Sequence, residues 1–190
     1  MKTSRNFKIL VIGVLTLFLM TSCSNELETE TFENSTLVTV KLQGTPSAFS
    51  KANLEIIDVQ LRVLEDESNP NAWVSLNTVN TGIHDLTKIT EDTVVTLVDF
   101  EEIPSQFIYN IKLVFGDNNT VTKNGLEYVL DIAPESDNAS INIVGKQLVS
   151  NKVYDFVLVF DTDESIQMSS EGSANLNPKM STEMRLFNLF

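Results

Sequence analysis

The stretch that most constrains the fold is Val153 to Ile166, VYDFVLVFDTDESI. In a strand, side chains alternate between faces. Val153, Val157 and Val159 then point one way, and Tyr154, Phe156, Leu158 and Phe160 the other. A strand apolar on both sides belongs inside a sheet, with material packed on each face. Val, Phe and Tyr suit the pleated surface, and neither Gly nor Pro interrupts the run. The stretch ends in three acids, Asp161, Asp163 and Glu164.

Other runs carry the same period of two. Val38, Val40 and Leu42 share a face. Further on, Ile57, Val59, Leu61 and Val63 are expected inward, with Asp58, Gln60 and Arg62 outward. Phe107, Tyr109, Ile111, Leu113 and Phe115 form the cleanest alternation, with Asn110 and Lys112 on the opposite side. Leu126, Tyr128, Leu130 and Ile132 form another row. Thr93–Val98 and Ser140–Val144 are shorter candidates, and a last one lies near Met184 and Leu186, limited to an edge by Pro178. Asn124-Gly125 reads as a two-residue hairpin turn, since both residues tolerate positive φ. Pro46–Ala52 has room for one helical turn. Seven to nine strands at this spacing predict an all-β fold, an antiparallel two-layer β-sandwich.

The beginning of the chain has a different character. Lys2, Arg5 and Lys8 precede an apolar run from Ile9 to Met20, then Thr21, Ser22 and Cys23. A charged start, a short apolar core and small residues describe a secretory signal over residues 1–22 rather than a spanning helix. Cys23 is the only cysteine in the chain. Its position resembles the lipobox of bacterial lipoproteins, in which that Cys becomes the lipidated first residue, with Met20 here where Leu is usual. No cysteine is then left for a disulfide or a thiol nucleophile. Residues 23–35 contain the acidic stretch SNELETETFEN and read as a flexible tether. An acidic stretch at this point also resembles the surface-export signal of Bacteroidetes-type lipoproteins, and that resemblance implies an outer-membrane lipoprotein expected at the cell surface, the competing reading being a plain linker on a protein facing the periplasm. Residues 36–190 make one domain.

Charge excludes one class of partner. The chain has 13 basic and 26 acidic residues, and removal of residues 1–22 leaves 10 against 26, a formal charge of −16. Phosphate backbones require a basic surface, so nucleic acid is not expected. Membrane attachment is expected through the lipid anchor.

From Gly44 the order of motifs resembles the lipoprotein family known as domain of unknown function 4382. The segments are GTPSAFSKANLEIIDVQLRV (44–63), WVSLNTVNTGIHDLTKI (73–89), IPSQFIYNIKLVFGDNNTV (103–121) and VYDFVLVFDTDESI (153–166). Family members often have Asp-Ala-Pro where this chain has Gly44-Thr45-Pro46. The resemblance implies a transthyretin-like or carboxypeptidase-regulatory-like β-sandwich on a lipid anchor, and no known activity.

Catalysis finds little support. His84 is the only histidine and stands beside Asp85, but no Gly-x-Ser-x-Gly elbow accompanies it. Zinc needs several His or Cys ligands, and no glycine-rich phosphate loop is present. The sharper candidate is calcium, with Asp161, Asp163 and Glu164 after one strand and Asp117 and Asn118 after another. As consecutive strand positions, Asp161 and Asp163 would share a side. The competing reading makes these residues ordinary turn caps. Trp73 is expected in the core, a sugar-stacking role being the alternative. Asp92-Thr93-Val94 resembles a short O-glycosylation acceptor of Bacteroidetes. The expected function is a non-enzymatic, lipid-anchored module binding a glycan or protein. The alternative is a structural subunit of a pilus or surface assembly.

Overall fold

The structure, a computed structural model, describes residues 32–133, 139–169 and 173–188. The signal, Cys23 and most of the tether lie outside them. Among the described residues, thirteen strand segments form two sheets. Among the described residues, no helix is long and apolar enough to cross a membrane.

The smaller sheet has the order β13-β10-β1-β5. Here β1 is Ser35–Gly44, β5 Val95–Pro104, β10 Lys152–Phe160 and β13 Met180–Asn188. As its two-sided apolar pattern requires, β10 lies between two neighbours. It is buried at all but two of its nine positions. Its even-numbered residues, Tyr154, Phe156, Leu158 and Phe160, enter the core beside Val38, Val40 and Leu42 of β1. The β1–β10 pairing is parallel, with Val38 opposite Tyr154 and Leu42 opposite Leu158. The sandwich is therefore of mixed pairing.

The larger sheet is built on β2 (Lys51–Arg62), whose neighbours are broken strands on both sides. On one side run β3 (Trp73–Ser75) and β4 (Gly82–Asp85). On the other run β6 (Phe107–Phe115) and β7 (Thr120–Lys123), separated by Gly116–Asn119. β6 continues to β9 (Ala139–Gln147). β7 continues through β8 (Leu126–Ile132) to β12 (Ala174–Leu176) and β11 (Ile166–Met168), the β8–β12 pair being parallel. The β7–β8 hairpin turns at Asn124 and Gly125, both at positive φ, as the dipeptide predicts. The two sheets share one core, and Phe115 meets Phe160 edge-on across the layers at 6.2 Å.

Three local expectations fail, two of them at register shifts. In β2 the pairing slips between Ile56 and Asp58, so Ile57 is an extra residue and is half exposed. This bulge puts Ala52, Leu54 and Ile56 on the same core face as Val59 and Leu61. In β6 the alternation holds from Ile111 to Phe115, but towards the start Ile108 is buried and Phe107 exposed. The Tyr109 ring lies instead under the Arg62 guanidinium, 5.2 Å away, and against Phe107. The partner strand β9 carries an extra residue there, with Gly145 at φ +56°. Residues 46–52 form no helical turn; they bend into β2.

Candidate functional site

The four-stranded sheet has a second face, directed away from the core. Register places Val153 between Leu37 and Phe187, Asp155 between Thr39 and Arg185, and Val157 between Lys41 and Glu183. On this face lies a cavity of about 340 Å³ lined by Thr39, Lys41, Thr96, Asp99, Phe100, Val153, Asp155 and Phe187. That is at the small end of ligand-sized pockets.

Asp155 lies at its floor and is only 5% exposed. One carboxylate oxygen accepts a hydrogen bond from Lys41 Nζ at 2.7 Å. The other, Oδ1, is buried and has no partner. A buried carboxylate normally fills its acceptor sites, so an orphan oxygen beside a cavity calls for an explanation. Lys41 keeps part of its side chain in solvent, leaving ammonium N–H groups for another acceptor.

One wall is made by a strained segment. β5 slips twice against β1, between Val38 and Val40 and again between Val40 and Lys41. Within the first slip Phe100 adopts φ +44°, unfavourable for a bulky side chain. Its N–H donates to Thr39 Oγ1 at 3.2 Å, and its ring remains 58% exposed. Such strain costs on the order of 1–3 kcal/mol and clusters at functional sites. The Phe187 ring of β13, 52% exposed, lies on the opposite side of the groove. The sequence carried one signal for this site, a single acid inside an otherwise apolar strand, Asp155. Lys41, Phe100 and Phe187 become neighbours only through register.

The residues singled out for calcium are placed otherwise. Thr162–Ser165 is a helical turn, α1, not a strand continuation. At helical spacing Asp161 and Asp163 diverge by about 200° rather than sharing a side. Asp161 caps the turn, accepting from Glu164 N at 2.9 Å. Asp163 turns to Ser47, whose hydroxyl donates to it at 2.6 Å, and to Ala48 N. Asp161 and Glu164 border a hollow of about 250 Å³ with Lys179 on its rim. Asn118 donates backbone and side-chain N–H groups to Glu55 Oε2. Those bonds hold the Glu55 carboxyl below its usual range. Among the described residues, no group of three or more His, Cys, Asp or Glu side chains is arranged to hold a metal.

His84 and Asp85 do not form a pair. His84 Nε2 lies 2.9 Å from the Asn80 carbonyl oxygen. Asp85 caps the 3-10 turn Leu86–Lys88, accepting from Thr87 Oγ1 at 2.7 Å and from Thr87 N and Ala52 N. Its Oδ2 has no hydrogen bond but faces Lys88 Nζ at 3.3 Å. Burial is the largest single influence on this carboxyl and raises it, yet the hydrogen bonds together lower it below its usual value. Trp73 is half-buried on the larger sheet rather than in the core, with Lys112 Nζ 3.8 Å from its ring centre. Thr93 is exposed, and its hydroxyl donates to the Lys88 carbonyl.

Fold and groove together define a two-sheet β-sandwich with a small, mostly apolar groove on its four-stranded face. The chain belongs to the family described as Domain of unknown function (DUF4382), which matches residues 35–178. No curated protein and no solved structure matches it.

Proposed function

We propose that this chain is a lipid-anchored, non-catalytic binding module of the outer membrane surface, and that it holds a sugar ring of a glycan in the groove of the four-stranded sheet. The carrying observation is the orphan Oδ1 of Asp155 beside Lys41, between two exposed aromatic rings. A hydroxyl donating to Oδ1 satisfies the buried acceptor, and a neighbouring hydroxyl accepts from Lys41 Nζ. The C–H faces of the ring cover Phe100 or Phe187. Because Asp155 is already neutralised by Lys41, a neutral polyol fits better than a second cation. The lipobox-like Cys23 and the acidic stretch after it support the anchoring and the surface location. The capping role of Asp85 and the separation of His84 from it support a non-catalytic reading. The net charge of −13 disfavours nucleic acid as partner.

The test is binding to an array of neutral oligosaccharides, followed by calorimetry on the best. Asp155→Asn and Phe100→Ala are each expected to weaken binding at least about tenfold, the weight of one lost buried hydrogen bond or stacking contact. An array with no binder, or variants that bind as tightly as the parent, would sink the proposal.

A further inference from the structure

β13 is an edge strand: it pairs with β10 along its full length, and among the described residues no strand pairs with its other side, the link to the opposite sheet being a side-chain bond from Asn142 of β9 to Thr182 Oγ1. Exposed edges are normally spoiled for pairing. The remaining edges among the described residues are spoiled in that way. β5 has two register slips, Pro104 and the acids Asp99, Glu101 and Glu102. β9 is interrupted at Gly145, followed by Lys146. β3, β4 and β11 are three or four residues long. β13 runs nine residues in unbroken register without proline. Its inward-facing Met184 and Leu186 lie beyond the core and are 37% and 50% exposed.

We infer that β13 pairs with β13 of a second copy of this chain, antiparallel about a two-fold axis at Met184. A continuous sheet keeps odd-numbered residues opposite odd-numbered ones. Centred on Met184, Glu183 faces the second copy's Arg185, and Arg185 faces its Glu183. Moving the axis to Glu183 sets Glu183 against Glu183, and moving it to Arg185 sets Arg185 against Arg185. Opposite charges stabilise a cross-strand pair and like charges destabilise it, so the register centred on Met184 is favoured over its two neighbours, the 3.7 Å contact between Glu183 and Arg185 within one copy being exchanged for two between copies. In this register Met184 covers Met184, and Leu186 covers Thr182. The result is an eight-stranded sheet closed by an isologous contact, with both grooves on one face. The pairing stands whether or not the groove holds a glycan.

The test uses the full chain carrying Cys23→Ser, in mild detergent, with a single new cysteine and oxidative cross-linking. Opposite residues in an antiparallel pair lie about 4.5–5.5 Å apart at Cα, a span a disulfide bridges. Met184→Cys is expected to give a covalent dimer. Thr182→Cys and Leu186→Cys, each four positions from its own copy, are expected to give about a tenth as much or less. Adding Glu183→Arg or Arg185→Glu to Met184→Cys should reduce cross-linking about fivefold. Adding both should restore it. Absence of a Met184→Cys dimer, equal yields at the three positions, or no rescue by the double reversal would each overturn the pairing.

Discussion

Asp155 and Asp85 are both substantially buried acids, and they differ in how fully each is answered. Asp85 has hydrogen bonds from Thr87 and Ala52 and an ion pair with Lys88, and these tie β4, the 3-10 turn and the start of β2 together. Its carboxyl is held below the usual range despite burial. A depressed carboxylate contributes stability that is present above its unfolded value, near 3.8, and lost as pH falls through the folded value. Asp85→Ala is therefore expected to destabilise by about 1–2 kcal/mol at pH 7, the weight of a lost cap and backbone bond. The gap to the parent should narrow as pH is lowered below 3.8. Asp85→Asn, which keeps a capping oxygen, should fall between them. Urea unfolding of the three proteins at neutral and acid pH measures this; a gap that does not change with pH would refute the electrostatic part. Asp155 lacks a full set of partners, which is why it reads as a ligand contact and Asp85 as a structural cap.

At the scale of elements, β2 shows how a register device resolves an awkward sequence. Ala52, Leu54 and Ile56 alternate in one phase, and Val59 and Leu61 in the other. Without an inserted residue, one group would face solvent. The bulge at Ile57 absorbs the difference. Adjacent isoleucines should then respond oppositely. Ile57→Lys is expected to change stability by no more than about 0.5 kcal/mol, as a surface change does. Ile56→Ala, at a fully buried position, is expected to cost about 2–4 kcal/mol. Comparable losses at both positions would place Ile57 in the core and remove the bulge. The same device marks the limit of what periodicity reveals. The apolar rows of β1 and β10, the Asn124-Gly125 hairpin and the sandwich itself follow from local pattern and turn chemistry. The faces of Ile57, Phe107 and Tyr109 do not, because a bulge depends on the partner strand. The acids after Phe160 depart from the strand pattern for a related reason. Asp161 is an ordinary N-cap, and the helical turn it starts is too short to show a period. The groove was legible only as a stray acid in an apolar strand, since its other walls come from three separate strands.

At the scale of the molecule, acids outnumber bases 26 to 13, so the protein's own charge offers little attraction to an anionic bilayer. Attachment would rest on Cys23 alone. A single acyl chain holds a protein only marginally, whereas the multiple chains of a lipidated N-terminal cysteine anchor stably. Replacing residues 1–23 by a cleavable secretory signal without the cysteine is therefore expected to move the protein from the membrane fraction to the soluble fraction without altering the unfolding of the sandwich. Protease applied to intact cells should remove the parent protein, with lysed cells as the control for susceptibility. A compact sandwich resists attack, so cleavage is expected first in the acidic segment before Ser35, releasing a fragment that contains the paired sheets. If the protein survives on intact cells and is cut after lysis, it faces the periplasm. The acidic segment is then a plain linker, and the groove's ligand must be sought among envelope polysaccharides rather than outside the cell.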